Sequence, residues 1–295
     1  MSEIRFDALL PQEMATRAEY LGVRKAEMPF LKMFMLSVLA GAFIALGAIF
    51  ATTVSAGSMT VTSADGAVAF NTSLPYGVTR LLAGFVFSLG LILVIVGGAE
   101  LFTGNNLIVM AWASGKVSAW SLLRNWVIVY IGNFVGAIGT AALMFFTKQY
   151  TFGSNAVGIV ALKTAVAKSE LTFTQAIALG ILCNALVCLA VWMTYSARST
   201  MDKILAIIFP ITAFVAAGFE HSIANMYYIS YALFITMFDP VFVQAVADKV
   251  PHLEKLTWQA FFIGNLFPVT IGNIIGGAGL VAAVYWAIFL RASEK

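Results

Sequence analysis

Glu220 and His221 stand side by side in the stretch AAGFEHSIANMYY (216–228), and across residues 204–238 they are the only acidic or basic side chains. Imidazole titrates near neutral pH, so it can hold an anion, donate a hydrogen bond or pass a proton. An ionisable residue in an apolar segment is costly and by default a functional candidate. A second carboxylate, Glu100, lies in GAELFTGN (98–105), and GFEHSIAN (218–225) repeats its pattern G-x-E-x4-N at an offset of 120. That offset equates Glu100 with Glu220 and Asn105 with Asn225, whereas His221 is matched by Leu101. A feature kept in both copies points to architecture, and one present in a single copy points to chemistry. On that ground both carboxylates are expected to be structural, pinned to the backbone amides of a broken helix, and His221 to be functional.

Other chemistries lack their residues. The second histidine, His252, stands alone, and no Cys/His cluster has ligand spacing, so neither metal nor cofactor is expected. P-loop, G-x-S-x-G and dinucleotide fingerprints do not occur, and the spans offer almost no further catalytic groups, so an enzyme is not expected. The paired NPA signatures of a water channel are missing too. Cys183 and Cys188, five apart in an apolar run, are expected to pack rather than to pair.

The elements that must position Glu220 and His221 follow from composition. The 295 residues are 61% hydrophobic and 11% charged, with a mean hydropathy of +0.91. Soluble domains are nearer a quarter charged. Uncharged runs recur at 33–63, 81–99, 125–147, 171–196, 204–219 and 258–290. Most can span a bilayer, which takes roughly 20 apolar residues. The expected fold is an all-α membrane protein with six spans near 33–54, 81–115, 120–147, 172–196, 204–238 and 258–290. Residues 1–32 form an N-terminal segment with an amphipathic helix at the membrane surface, and no cleavable signal peptide is visible. Residues 33–292 form the transmembrane domain.

A second motif, N-x6-G-N-x-x-G, occurs in NWVIVYIGNFVG (125–136) and NLFPVTIGNIIG (265–276) at an offset of 140. Two ordered matches imply a duplication, with repeats of about 33–147 and 172–292. Three spans per copy is an odd number, so the copies have opposite orientation, an inverted 3+3 repeat. The second and fifth spans, 81–115 and 204–238, hold 35 residues each. A straight helix of that length would measure roughly 52 Å against a core of about 30 Å. Both are expected to break at G-x-E-x4-N, with the Glu and Asn side chains bonding the freed backbone groups, a break tolerated where it lines a cavity.

The basic residues fix orientation. The N-terminus, 116–124, 197–203 and the C-terminus carry Arg5, Arg17, Arg24, Lys25, Lys32, Lys116, Arg124, Arg198, Lys203, Arg291 and Lys295. The opposite loops carry Arg80, Lys148, Lys163, Lys168, Lys249 and Lys255. The excess puts both termini in the cytoplasm.

AELFTGN, SARSTMDK, GFEHSIANM and VTIGNIIGG, in this order along the chain, resemble the formate/nitrite transporter family of bacterial anion channels over about residues 20–292. LVCLAVWMTYSARSTMDK and FVAAGFEHSIANM look most like its formate channels. The resemblance implies an aquaporin-like fold, a homopentamer in the bacterial inner membrane and one pore per protomer. It implies that His221 and Thr103 face each other at the centre of the path, with Asn184 beside them. It implies a constriction of Leu91 and Phe214, with Leu101 and Phe102 on the broken loop and Phe87 on the outer side. Asn225 and Lys168, with Asn184, are implied in the polar network around Glu220, whose counterparts here are Glu100 and Asn105. The implied permeant is formate, moved passively or with a proton, with nitrite or hydrosulfide as alternatives; acetate is a further candidate, and no nucleic acid is expected. In this reading Thr103 and His221 bind the anion, His221 lends or relays a proton, and Glu220 and Asn225 set its tautomer.

Overall fold

The computed structural model describes residues 8–56, 60–62, 68–71 and 74–291. Arg5 and Lys295, with the ends of the segments assigned to 1–32 and 33–292 and the end of the run at 63, lie outside them.

Helix α1 (Pro11–Ala26) precedes the first span, α2 (Phe30–Ser55). A short antiparallel ribbon, β1 (Thr60–Thr62) with β2 (Val68–Asn71), follows and pairs Val61 with Phe70. The second span is α3 (Tyr76–Gly97), then a break, a 3-10 turn (Gly104–Ile108) and the short α4 (Val109–Ala113). The third is α5 (Ala119–Phe146). Helix α6 (Ala156–Ser169) leads to the fourth, α7 (Phe173–Ser196). The fifth is split into α8 (Thr200–Ala217) and α9 (Ser222–Phe238). After α10 (Pro240–Val246) comes the sixth, α11 (Ala260–Phe289), which contains two π-helical stretches. Among the described residues, 6 helices are long and apolar enough to cross a membrane.

The pattern of small residues explains how the spans pack. A Cβ on Gly136 of α5 would lie 2.0 Å from the Val38 carbonyl oxygen of α2. A Cβ on Gly276 of α11 would lie 2.1 Å from that of Ile181 on α7. Two helix pairs related by the duplication thus approach backbone to backbone, as packing between lipid-embedded helices requires.

Two elements differ from the sequence reading. Residues 148–171 are not all loop, because 156–169 coil into α6 and bury Val157, Ala161, Leu162 and Ala165. Helix α1 buries Met14, Ala15, Ala18 and Gly22 within the protein, in a cluster with Leu107, Ile108 and Ala111. Its apolar stripe therefore faces protein rather than lipid. Gln12 donates to the Phe289 carbonyl, Arg17 to that of Tyr195, and Lys116 pairs with the buried Glu19. With α1 and α6 each ahead of a repeat and three spans between them, the two helices lie on opposite sides of the protein.

Candidate functional site

Both broken spans are built the same way. Helix α3 stops where Gly98 takes φ +78°, and α8 stops where Gly218 takes φ +77°. Only glycine enters that region without penalty. The Ala99 N–H then bonds the Val94 carbonyl at 2.9 Å, and the Phe219 N–H bonds that of Phe214 at 3.0 Å. The next amides leave for neighbouring helices, Glu100 N–H to Leu36 at 3.2 Å and Glu220 N–H to Leu179 at 3.3 Å.

An asparagine from the third span of each repeat holds the loop beyond. Asn133 donates to the Ser37 and Glu100 carbonyls at 2.8 and 2.9 Å and accepts from Phe102 N–H at 2.9 Å. Asn273 donates to the Gly180 and Glu220 carbonyls at 2.8 and 2.9 Å and accepts from Ser222 N–H at 3.0 Å. Each side chain satisfies three backbone groups that lipid could not.

The carboxylates do something else. Glu100 accepts from Lys25 Nζ at 2.7 Å and from the Asn105 amide at 2.7 Å. Glu220 accepts from Lys168 Nζ at 2.6 Å and from the Asn225 amide at 2.6 Å. A further asparagine closes each network. Asn125 accepts from Asn105 and donates to the Lys25 carbonyl, and Asn265 accepts from Asn225 and donates to the Lys168 carbonyl. The expectation that the Glu side chains bond freed backbone groups is thus corrected: Asn133 and Asn273 do so, and the acids meet cations.

The loops meet at Thr103 and His221, whose Oγ1 and Nε2 are 3.0 Å apart. His221 caps α9, with its Nδ1 accepting the Ala224 N–H at 3.1 Å. Only an unprotonated Nδ1 can accept, so the neutral ring carries its proton on Nε2 and donates to Thr103. The ring stacks on Phe214 at 5.8 Å, and Phe214 meets Phe87 edge-on at 5.6 Å. Glu220 and Asn225 do not fix this tautomer, as the sequence reading had them do; the α9 backbone does.

Two cavities approach this layer from opposite sides. On the α6 side one of about 390 Å³ reaches Phe87, Phe214 and His221. On the α1 side one of about 300 Å³ reaches Leu91 and Leu101. Each carries one carboxylate and three cations: Glu220 with Arg80, Lys163 and Lys168, and Glu100 with Arg17, Lys25 and Lys203. Arg80 donates to the Ala216 and Val215 carbonyls, capping the C-terminal end of α8 where a cation is favoured. Lys163 and Lys203 have no ion-pair partner among the described residues.

Two expected positions change. Phe102, expected at the constriction, turns its ring onto Trp126 and Tyr130 at 6.0 and 4.9 Å and lines neither cavity. Its amide is tethered to Asn133, which aims the side chain at α5. Asn184, expected on the path, is fully buried behind the loop and donates to the Thr103 and Asn273 carbonyls at 3.3 and 2.7 Å. Lys25, Asn125, Asn133, Asn265, Asn273 and Arg80 were not expected at the site. The repeated N-x6-G-N-x-x-G already held the four asparagines. Lys25 had a signal as well, since Lys25-Ala26-Glu27 and Lys168-Ser169-Glu170 share K-x-E at an offset of 143, the spacing of Leu36 and Leu179.

Comparison with known proteins gives concordant results. A family model described as formate/nitrite transporter matches residues 12–287. The formate channel FocA of Escherichia coli (strain K12) is 45% identical over 290 residues, covering 98% of this chain and 97% of that one. A probable formate transporter of Methanothermobacter thermautotrophicus is 34% identical, covering 95% and 97%. A solved pentameric formate channel with formate bound superposes with a TM-score of 0.78 at 43% identity, covering 89% of this chain and 98% of that one. An FNT family ion channel superposes at 0.76 with 26% identity, covering 94% and 98%.

Proposed function

The chain belongs to the formate/nitrite transporter family, and from that premise we propose that it conducts formate across the bacterial inner membrane through a pore in each protomer of a homopentamer. It is a multi-pass membrane protein, and in this reading both termini are cytoplasmic, which the excess of basic residues on the α1 side supports. It acts as a channel rather than an enzyme. Residues 33–292 form the pore domain in this reading, with α1 as a plug-like helix beneath it.

The observation that carries the proposal is the Thr103–His221 contact, a 3.0 Å polar pair in the apolar layer between two basic cavities. The cavities draw a small anion in through their net positive field. A bare anion in the apolar layer costs several kcal/mol. With Nε2–H donating to Thr103 Oγ1, the threonine hydroxyl keeps its own hydrogen for the permeant. His221 acts here as a neutral donor, since a proton on Nδ1 would displace the Ala224 N–H and uncap α9. A proton that crosses with formate is then carried by the permeant itself, as formic acid.

Formate flux into proteoliposomes, followed together with internal pH and membrane potential, tests both parts. Flux with acidification and no charge movement fits the acid; flux that moves charge identifies a pure anion pore; no flux removes the function. Nitrite and hydrosulfide in the same assay decide the alternative substrates.

A further inference from the structure

The two polar networks share their main contacts, although Asn265 also donates to Glu220 at 3.2 Å, and they differ in how one asparagine oxygen is met. On the α1 side Lys25 Nζ donates to Glu100 and also to Asn105 Oδ1 at 3.0 Å. On the α6 side Lys168 Nζ donates to Glu220 and lies over the Tyr228 ring, 5.5 Å from its centre. Asn225 Oδ1 is left without a hydrogen-bond partner, although Asn225 is fully buried and lines the cavity. Its amide orientation is fixed, because the nitrogen donates to Glu220 at 2.6 Å and to Asn265 Oδ1 at 2.7 Å. Turning it over would set oxygen against oxygen. A buried acceptor without a donor is costly, and native proteins keep few of them.

We propose that the α6-side cavity binds the permeant as a neutral acid, whose hydroxyl donates to Asn225 Oδ1 while its carbonyl oxygen accepts from Lys168 Nζ. A carboxylate cannot make this pair of contacts, since both of its oxygens are acceptors and one would face Oδ1. Lys168 has hydrogens to spare, because Glu220 takes only one of three. Charge does not select the acid, because the two cavities carry the same set of cations and carboxylate. The acceptor does. On the α1 side Lys25 fills the equivalent oxygen, so that cavity receives anion and acid without this preference. The inference rests on the reading of the chain as a formate channel and names the form of the permeant held on one side of it.

Formamide is the probe, a neutral molecule of formic acid's shape with N–H in place of O–H; methyl formate keeps the carbonyl and has no such donor. Electron cryo-microscopy of the intact protein in formamide is expected to show the probe within hydrogen-bond distance of Asn225 Oδ1 and Lys168 Nζ and not at Asn105. Water alone at Asn225, or formamide equally at both asparagines, overturns the proposal. In proteoliposomes formamide is expected to inhibit formate flux about fivefold more strongly than methyl formate, the worth of one neutral hydrogen bond. Equal inhibition also overturns it. Formate flux without either probe reports on the channel reading separately, and the structural arm decides this proposal even where flux is missing.

Discussion

The loop that breaks the second span and the loop that breaks the fifth share a left-handed glycine, an asparagine clamp, a carboxylate, a lysine from a preceding helix and a closing asparagine. They differ where the clamp ends. After Glu100 comes Leu101, with Thr103 two residues on; after Glu220 comes His221, which reaches Thr103 across the pseudo-twofold axis. The shared parts answer one physical demand, that a helix interrupted inside lipid must have its freed amides and carbonyls satisfied by protein. The unshared parts add to that demand, since His221 caps α9 through Nδ1 while its Nε2 meets Thr103 where a permeant would pass. Duplication thus separates the shared scaffold from the residues that would meet a permeant within one chain.

The comparison breaks first, if at all, at the clamps. Asn133→Leu and Asn273→Leu each leave three backbone groups unpaired, at about 1–3 kcal/mol apiece. Both variants are expected to fail to yield an assembled oligomer in mass measurements of detergent extracts. Normal assembly of one of them would show that the two clamps are not equivalent.

Next come the carboxylates. Removing one partner of a buried ion pair costs about 3 kcal/mol or more. Glu220→Gln is expected to lower the melting temperature more than Glu100→Gln, since the Lys168 side chain is 15% exposed and that of Lys25 27%, with Asn105 Oδ1 as a second acceptor. Lys168→Met added to Glu220→Gln should restore part of the loss. An equal loss in both single variants would remove the asymmetry.

The unshared residues should act more on flux than on stability. Thr103→Val is expected to cut formate flux about fivefold, the worth of one neutral hydrogen bond, and to lower the melting temperature less than the carboxylate variants do, because it leaves the His221 Nε2–H unpaired. His221→Phe should abolish the pH dependence of flux only if the ring exchanges a proton; a neutral donor at 221 predicts lower flux with the pH profile kept. It also removes the cap of α9, worth about 1 kcal/mol. The smallest effects belong to the unpaired lysines. Lys163→Gln and Lys203→Gln are expected to lower flux about twofold at low ionic strength and not in high salt, because screening removes a long-range field. A loss that persists in salt would mean direct contact with the permeant.

Much of this was legible because repeats expose what is kept. The spacing G-x-E-x4-N located both breaks, and N-x6-G-N-x-x-G marked the clamps without saying what they clamp. Helix α6 was missed because its 14 residues are apolar but too short to span, and a periodic stretch of that length between spans resembles a loop. The ring of Phe102 could not be aimed from sequence either, since its direction follows from a hydrogen bond to a residue 31 positions away.

The sequence by itself determined a polytopic helical membrane protein, its inverted duplication, the sites of the two breaks and the singular status of His221, because hydropathy, repeat spacing and residue type are local and survive without coordinates. Only the tertiary structure decided that Lys25 and Lys168 are twins, that Asn184 and Phe102 stand off the path, that an α9 amide sets the His221 tautomer and that Asn225 keeps a free acceptor. Each of these depends on which side chain reaches which lone pair, a matter of a few ångströms between segments distant in the chain.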